Sequence, residues 1–197
     1  MSNFPASGRS AHKFPAARLA VDALLIALYF ALGYLAEHME IAGVRISFVA
    51  LPLVVGAVLY GPIDAALVGF LGELIAQMLA WGFSATTLLW CIPETVRGLL
   101  LGLGVVIFAK QMSVDAITKG KRLAVYFAIC IVAAIATSLA NTAVYYVDSK
   151  IYGYYNAALI FGVMWVRILT GVGTAVATGV VAIPLLSALK SSKLANL

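Results

Sequence analysis

Apolar residues run along this chain in long stretches separated by short clusters of glycine, proline and charge. Reading hydropathy against these breakers predicts six helical spans, roughly 16–36, 46–60, 62–80, 84–109, 121–147 and 157–189. A hydrocarbon core about 30 Å thick needs roughly twenty apolar residues per helix, whereas barrel strands would show short alternating segments. No such alternation occurs, so the expectation is an all-α bundle of six transmembrane helices. The 46–60 span is short and stops at Gly61-Pro62. Proline can open a helix but not continue one, so two antiparallel helices are expected to meet there in a tight turn. The polar, basic segment 1–15 reads as an N-terminal tail, 16–189 as one membrane domain and 190–197 as a C-terminal tail. The apolar stretch after residue 15 lacks an Ala-x-Ala exit and reads as an uncleaved first span.

Composition supports the membrane reading. The 197 residues are 63% apolar and 11% charged, with a mean hydropathy of +1.04, where a soluble domain carries roughly a quarter charged residues. The formal charge of +5 bears on topology more than on nucleic acid. Nine of the thirteen basic residues lie at the N-terminus (Arg9, Lys13, Arg18), the 110–122 connection (Lys110, Lys119, Lys121, Arg122) and the C-terminus (Lys190, Lys193). The positive-inside rule then makes both termini cytoplasmic in a prokaryotic cell membrane, with loops 37–45, 81–83 and 148–156 outside. No Gly-x-x-x-x-Gly-Lys-[Ser/Thr] phosphate loop occurs, so energy for any transport must come from a gradient or a partner. Cys91 and Cys130 fall inside apolar stretches and give neither a disulfide framework nor metal-ligand spacing. No metal or cofactor is expected.

The polar residues within the spans carry the functional signal. An ionisable group in a bilayer costs about 2.5–3.5 kcal/mol even on the gentle insertion scale, so it normally faces the bundle interior. Asp22 follows Arg18 by four residues, a spacing that predicts a surface pair. Glu73 and Gln77 share a face of the third span, with Trp81 beyond them. Thr87, Trp90, Glu94 and Arg97 share a face of the fourth, Thr137, Asn141 and Tyr145 of the fifth, and Arg167, Thr170 and Thr174 of the sixth. Four stripes in the middle and outer half of the membrane predict a cavity that opens outward. A plainer reading pairs Glu94 with Arg97 and Glu73 with Arg167 as buried ion pairs. The accompanying Trp, Tyr, Asn, Gln and Thr exceed what two ion pairs need and suit a small-molecule site. The candidate ligand residues are therefore Glu73, Gln77, Trp90, Glu94, Arg97, Asn141, Tyr145 and Arg167; a guanidinium can hold a carboxylate bidentately. Ala23, Ala27 and Ala31 recur every four residues in the first span. They read either as internal packing or as a strip exposed for another membrane protein, while Gly98-x-x-x-Gly102 reads as internal packing.

The stretch Phe48-Val-Ala-Leu-Pro-Leu-Val-Val-Gly-Ala-Val-Leu-Tyr-Gly-Pro-Ile-Asp-Ala-Ala-Leu-Val-Gly-Phe-Leu-Gly-Glu73, with the alanine triplet before it, resembles the substrate-binding S components of energy-coupling-factor (ECF) vitamin transporters. The resemblance runs from about residue 17 to 189. Gly82-Phe-Ser-Ala-Thr-Thr-Leu and Arg97-Gly-Leu-Leu-Leu-Gly are most similar to the folate-type branch, although Ala80-Trp-Gly-Phe-Ser84 lacks the proline usual there. Pantothenate, riboflavin-like and cobalamin-related ligands stay open. The resemblance implies a non-catalytic binding subunit that takes a vitamin from outside and docks on a transmembrane coupling protein through Ala23, Ala27 and Ala31. Two cytoplasmic ATPases would then drive delivery inward.

Two other classes fit less well. An intramembrane enzyme using Glu73 or Glu94 as base would want a His-Glu-x-x-His or Gly-x-Ser-x-Gly setting, and neither occurs. A solitary gradient-driven transporter is commonly built from repeats with broken helices, and no repeat is visible.

Overall fold

The computed structural model describes residues 16–37, 40–41, 44–45, 47–108 and 120–191. Residues 1–15 and 192–197, expected as tails, lie outside these, as do Arg9, Lys13, Lys110, Lys119 and Lys193 of the charge tally. The chain folds as α1 (Ala16–Glu37), a short antiparallel ladder of β1 (Glu40–Ile41) with β2 (Val44–Arg45), then α2 (Ala50–Leu59) and α3 (Pro62–Trp81). After these come α4 (Thr87–Ile107), α5 (Lys121–Ile151), a π-helical turn at Ala158–Gly162 and α6 (Met164–Ser191).

Five helices are long and apolar enough to cross a membrane, and α2 is not. Its ten residues rise about 15 Å, half of a hydrocarbon core. The predicted 46–60 span is thus corrected to a half-length helix. Pro52 has no backbone N–H to give and fits only in a first helical turn, so the helix starts at Ala50 and the chain before it is used by the ladder and the bend at Ser47–Val49. Leu51 to Ala57 are all buried. The fourth helix also starts late, at Thr87, because the Thr87 hydroxyl accepts from the Ser84 N–H at 2.8 Å and holds a turn there. The fifth continues to Ile151, so Asp148 and Lys150 belong to helix and not to the expected 148–156 loop.

Glycine sets the seam between α3 and α4. A Cβ on Gly69 would stand 2.5 Å from the Glu94 carbonyl oxygen, one on Gly98 2.3 Å from that of Ala65, and one on Gly102 2.2 Å from Pro62 Cα. Moving up α3 through Pro62, Ala65 and Gly69, the partners move down α4, so the two helices are antiparallel at backbone contact. Gly61, at φ 98°, makes the preceding turn, and Pro62 opens α3 as expected.

The first helix runs alongside α3 in the same direction. Arg18 bridges Asp64, with Nε donating to Oδ1 at 3.2 Å and Nη2 to the second oxygen, and also reaches the Tyr60 carbonyl at 3.2 Å. Arg18 still attracts Asp22 as expected, and it also ties α1 to the Gly-Pro turn, because Asp64 is almost fully buried and has the greater need of a cation. Around these contacts Leu25, Leu53, Val55, Val68, Leu101, Tyr126 and Leu186 form the apolar core.

Candidate functional site

Three adjoining cavities lie between the helices. The central one, about 230 Å³, is walled by Tyr29, Glu73, Glu94, Arg97, Thr174 and Thr178 among others. A second of about 390 Å³ lies toward α5 and α6 and is lined by Trp90, Arg97, Ser138, Asn141, Tyr145, Arg167, Thr170 and Thr174. A third of about 360 Å³ lies between α1 and α3 and is lined by Tyr29, Tyr34, Glu73, Gln77 and Trp81. Ser47, in the bend before α2, touches all three. Non-helical backbone at membrane depth is tolerated where it lines a cavity, and this bend does so.

All eight residues predicted from helical faces line one or more of these cavities. Glu73 and Gln77 are adjacent, the Gln77 amide donating to Oε1 at 2.7 Å. Glu94 stands 3.1 Å from Arg97 Nη1, so the plainer ion-pair reading holds for that pair. Its Oε2 is buried and makes no hydrogen bond, so the two charges are close without being well aligned. The Arg97 Nε donates to Thr137 Oγ1 at 3.2 Å, joining α4 to α5. The other predicted pair is absent: among the described residues Glu73 takes neutral donors, and the Arg167 guanidinium lies 4.9 Å from the centre of the Tyr145 ring. Trp90 meets Tyr145 edge-on at 6.1 Å, and its indole N–H donates to Asp148 at 3.3 Å.

Several site residues escaped the sequence reading. Tyr29 on α1 is buried and donates its hydroxyl to Glu73 Oε2 at 2.8 Å. A Cβ on Gly72 would meet its ring at 2.5 Å, so the Gly72-Glu73 pair works as a unit in which glycine admits the ring and glutamate receives the hydroxyl. Thr178 has a buried hydroxyl oxygen with no partner, although it continues the Thr170, Thr174 spacing and was legible as such. Asp148, taken for a loop residue, also accepts from the Tyr154 hydroxyl. Burial, and then that carboxylate, raise the Tyr154 pKa above its ordinary value. Asp148 thereby holds Trp90 and Tyr154 around Tyr145.

Ala23, Ala27 and Ala31 are exposed, on the side of α1 away from Leu25 and Tyr29. Among the described residues they are not packing residues. Among the described residues no group of three His, Cys, Asp or Glu side chains is placed to hold a metal.

The cavities, polar walls and apolar exterior describe a membrane-embedded receptacle for a small molecule. Compared with known families, residues 17–186 match the model described as ECF transporter, substrate-specific component. No curated protein and no solved structure matched the chain.

Proposed function

The chain belongs to the family of substrate-specific components of ECF transporters, and from that premise we propose that it captures a water-soluble anionic vitamin, folate or a related compound, from outside the cell. The cavity beneath α5 and α6 carries the reading. Among the described residues its lining includes Arg97 and Arg167 and no carboxylate, with Trp90 and Tyr145 beside them. Two guanidiniums and aromatic faces suit a planar molecule ending in carboxylate. The basic residues at the N-terminus, the 110–122 connection and the C-terminus support a reading with the termini in the cytoplasm and the cavity half of the bundle outward.

Delivery would need a transmembrane coupling protein and two ATPase subunits, since the sequence holds no phosphate loop. The exposed Ala23, Ala27 and Ala31 supply the docking strip, because small side chains let a partner helix approach closely. Mass spectrometry of small molecules released from the purified protein tests the reading. An unaltered anionic vitamin is expected. A chemically converted product would point to an enzyme instead, and a purely neutral ligand would remove the role given to Arg97 and Arg167.

A further inference from the structure

Charge within the site is separated, not merely present. Glu94 and Arg97 stand together in the central cavity and largely offset one another. Among the described residues that line these cavities, two charges have no opposite charge in contact: Glu73, whose bonds come from the neutral Tyr29 hydroxyl and Gln77 amide, and Arg167, which rests over the Tyr145 ring. They face different cavities. Glu73 lines the central one and the one beside α1, whereas Arg167 lines the one beneath α5 and α6. An unmatched charge inside a bilayer is costly, and an anion bound at Arg167 would meet only one of the two. Glu73 Oε1 and Oε2 each accept one hydrogen bond from the chain, and each carboxylate oxygen can accept a second.

We propose that the substrate is bipolar, with an anionic group at Arg167 and, at its other end, a cationic or amidine-like nitrogen donor group at Glu73. The central cavity, which shares wall residues with both outer ones, takes the middle of the molecule. This rests on the reading of the chain as a substrate-binding subunit and adds the requirement for a second pole. Such a molecule gives both unmatched charges a partner at once, an anion at Arg167 and N–H donors at Glu73, and neither a simple carboxylate nor a simple cation does so. Because the poles line different cavities, the ligand has to reach from one to the other.

Isothermal titration of the purified protein with folic acid, thiamin, biotin and pantothenate, alongside identification of any released small molecule, tests the proposal. Folic acid has an aminopyrimidinone donor end and a carboxylate end, thiamin has only the donor pole, pantothenate has only the acid, and biotin has the acid with a ureido N–H pair that is neither cationic nor amidine-like. The expected result is a released molecule with both poles, or folic acid binding at least tenfold tighter than the other three. Glu73→Gln and Arg167→Gln should each weaken folic acid binding tenfold or more with helix content unchanged by circular dichroism. If Arg167→Gln proves poorly folded, Arg167→Lys serves, keeping the charge and losing the fork. A released molecule with one pole, or biotin, pantothenate or thiamin binding as tightly as folic acid, overturns the bipolar proposal and leaves the binding-subunit reading standing. Protein that releases nothing and binds none of the four overturns both.

Discussion

Two stripes of small residues occur in this chain at the same four-residue spacing, and the fold uses them in opposite ways. Gly98 and Gly102 on α4 press against the backbone of Ala65 and Pro62, at distances no added Cβ could occupy. Ala23, Ala27 and Ala31 on α1 stay exposed among the described residues, while the other side of the same helix is anchored by Arg18 to Asp64 and by Tyr29 to Glu73. In a membrane, where lipid is as apolar as leucine, small residues earn conservation of space only where another helix fills it. A buried stripe thus has its partner within the fold, and an exposed stripe awaits one. Substitutions on the two stripes should separate stability from coupling.

The largest loss of stability is expected at the seam. Gly98→Val places branched carbons where the Ala65 carbonyl already sits 2.3 Å from an ideal Cβ, and backbone cannot give as a flexible side chain can. A destabilisation of at least about 3 kcal/mol is expected, read as loss of a monodisperse, ligand-binding protein in size-exclusion and melting assays. A variant that melts like wild type would show that α3 and α4 are not held at backbone contact.

Next comes the anchored side of α1. Arg18→Ala strips the buried Asp64 of its cation, a change worth about 3 kcal/mol where the remaining charge stays buried. The melting temperature should fall clearly, and Asp64→Asn in the same background should restore part of it. No restoration would mean that Arg18 acts through packing and not through charge.

These contacts also show what was readable beforehand. The polar stripes of α3 to α6 were legible because a helix repeats every 3.6 residues and charge in lipid is too costly to be placed idly. All eight residues found that way reached a cavity. Arg18 was assigned to Asp22 because i, i+4 spacing is visible in sequence, whereas Asp64, forty-six residues away, becomes its partner only once α3 lies beside α1. Tyr29 was missed for a related reason: within an apolar span a tyrosine reads as core, and its hydroxyl gains meaning only opposite Glu73. Helix length failed at α2, since apolar residues continued past the point where the backbone left the helix. Whether the alanines faced in or out could not be read either, because spacing fixes a face and not its direction.

A smaller effect is expected where α1 meets α3. Tyr29→Phe keeps the ring that lies on Gly72 and removes only the hydroxyl that donates to Glu73. A hydrogen bond to a charged group is worth about 1.5–3 kcal/mol, and the retained Gln77 bond points to the lower end. The melting temperature should drop modestly, and Glu73→Gln should make the same tyrosine change weaker still. Equal effects of Tyr29→Phe in both backgrounds would show that the hydroxyl is not stabilising Glu73.

The smallest effect on stability, and the sharpest contrast with Gly98, is expected at Ala27. Its side chain is exposed on α1, so tryptophan there has open space to enter, and surface changes of this kind usually stay within about 0.5 kcal/mol. Ala27→Trp should therefore melt like wild type and co-purify with the same small molecule. Uptake in proteoliposomes containing the coupling protein and ATPases should nevertheless be lost, because an indole holds a partner helix several ångströms away. The two stripes would then differ as the fold says they do: enlarging one destroys the subunit, and enlarging the other spares the subunit and disconnects it from its motor. Loss of the co-purifying molecule together with uptake would place Ala27 in internal packing, and normal uptake would move the docking surface elsewhere.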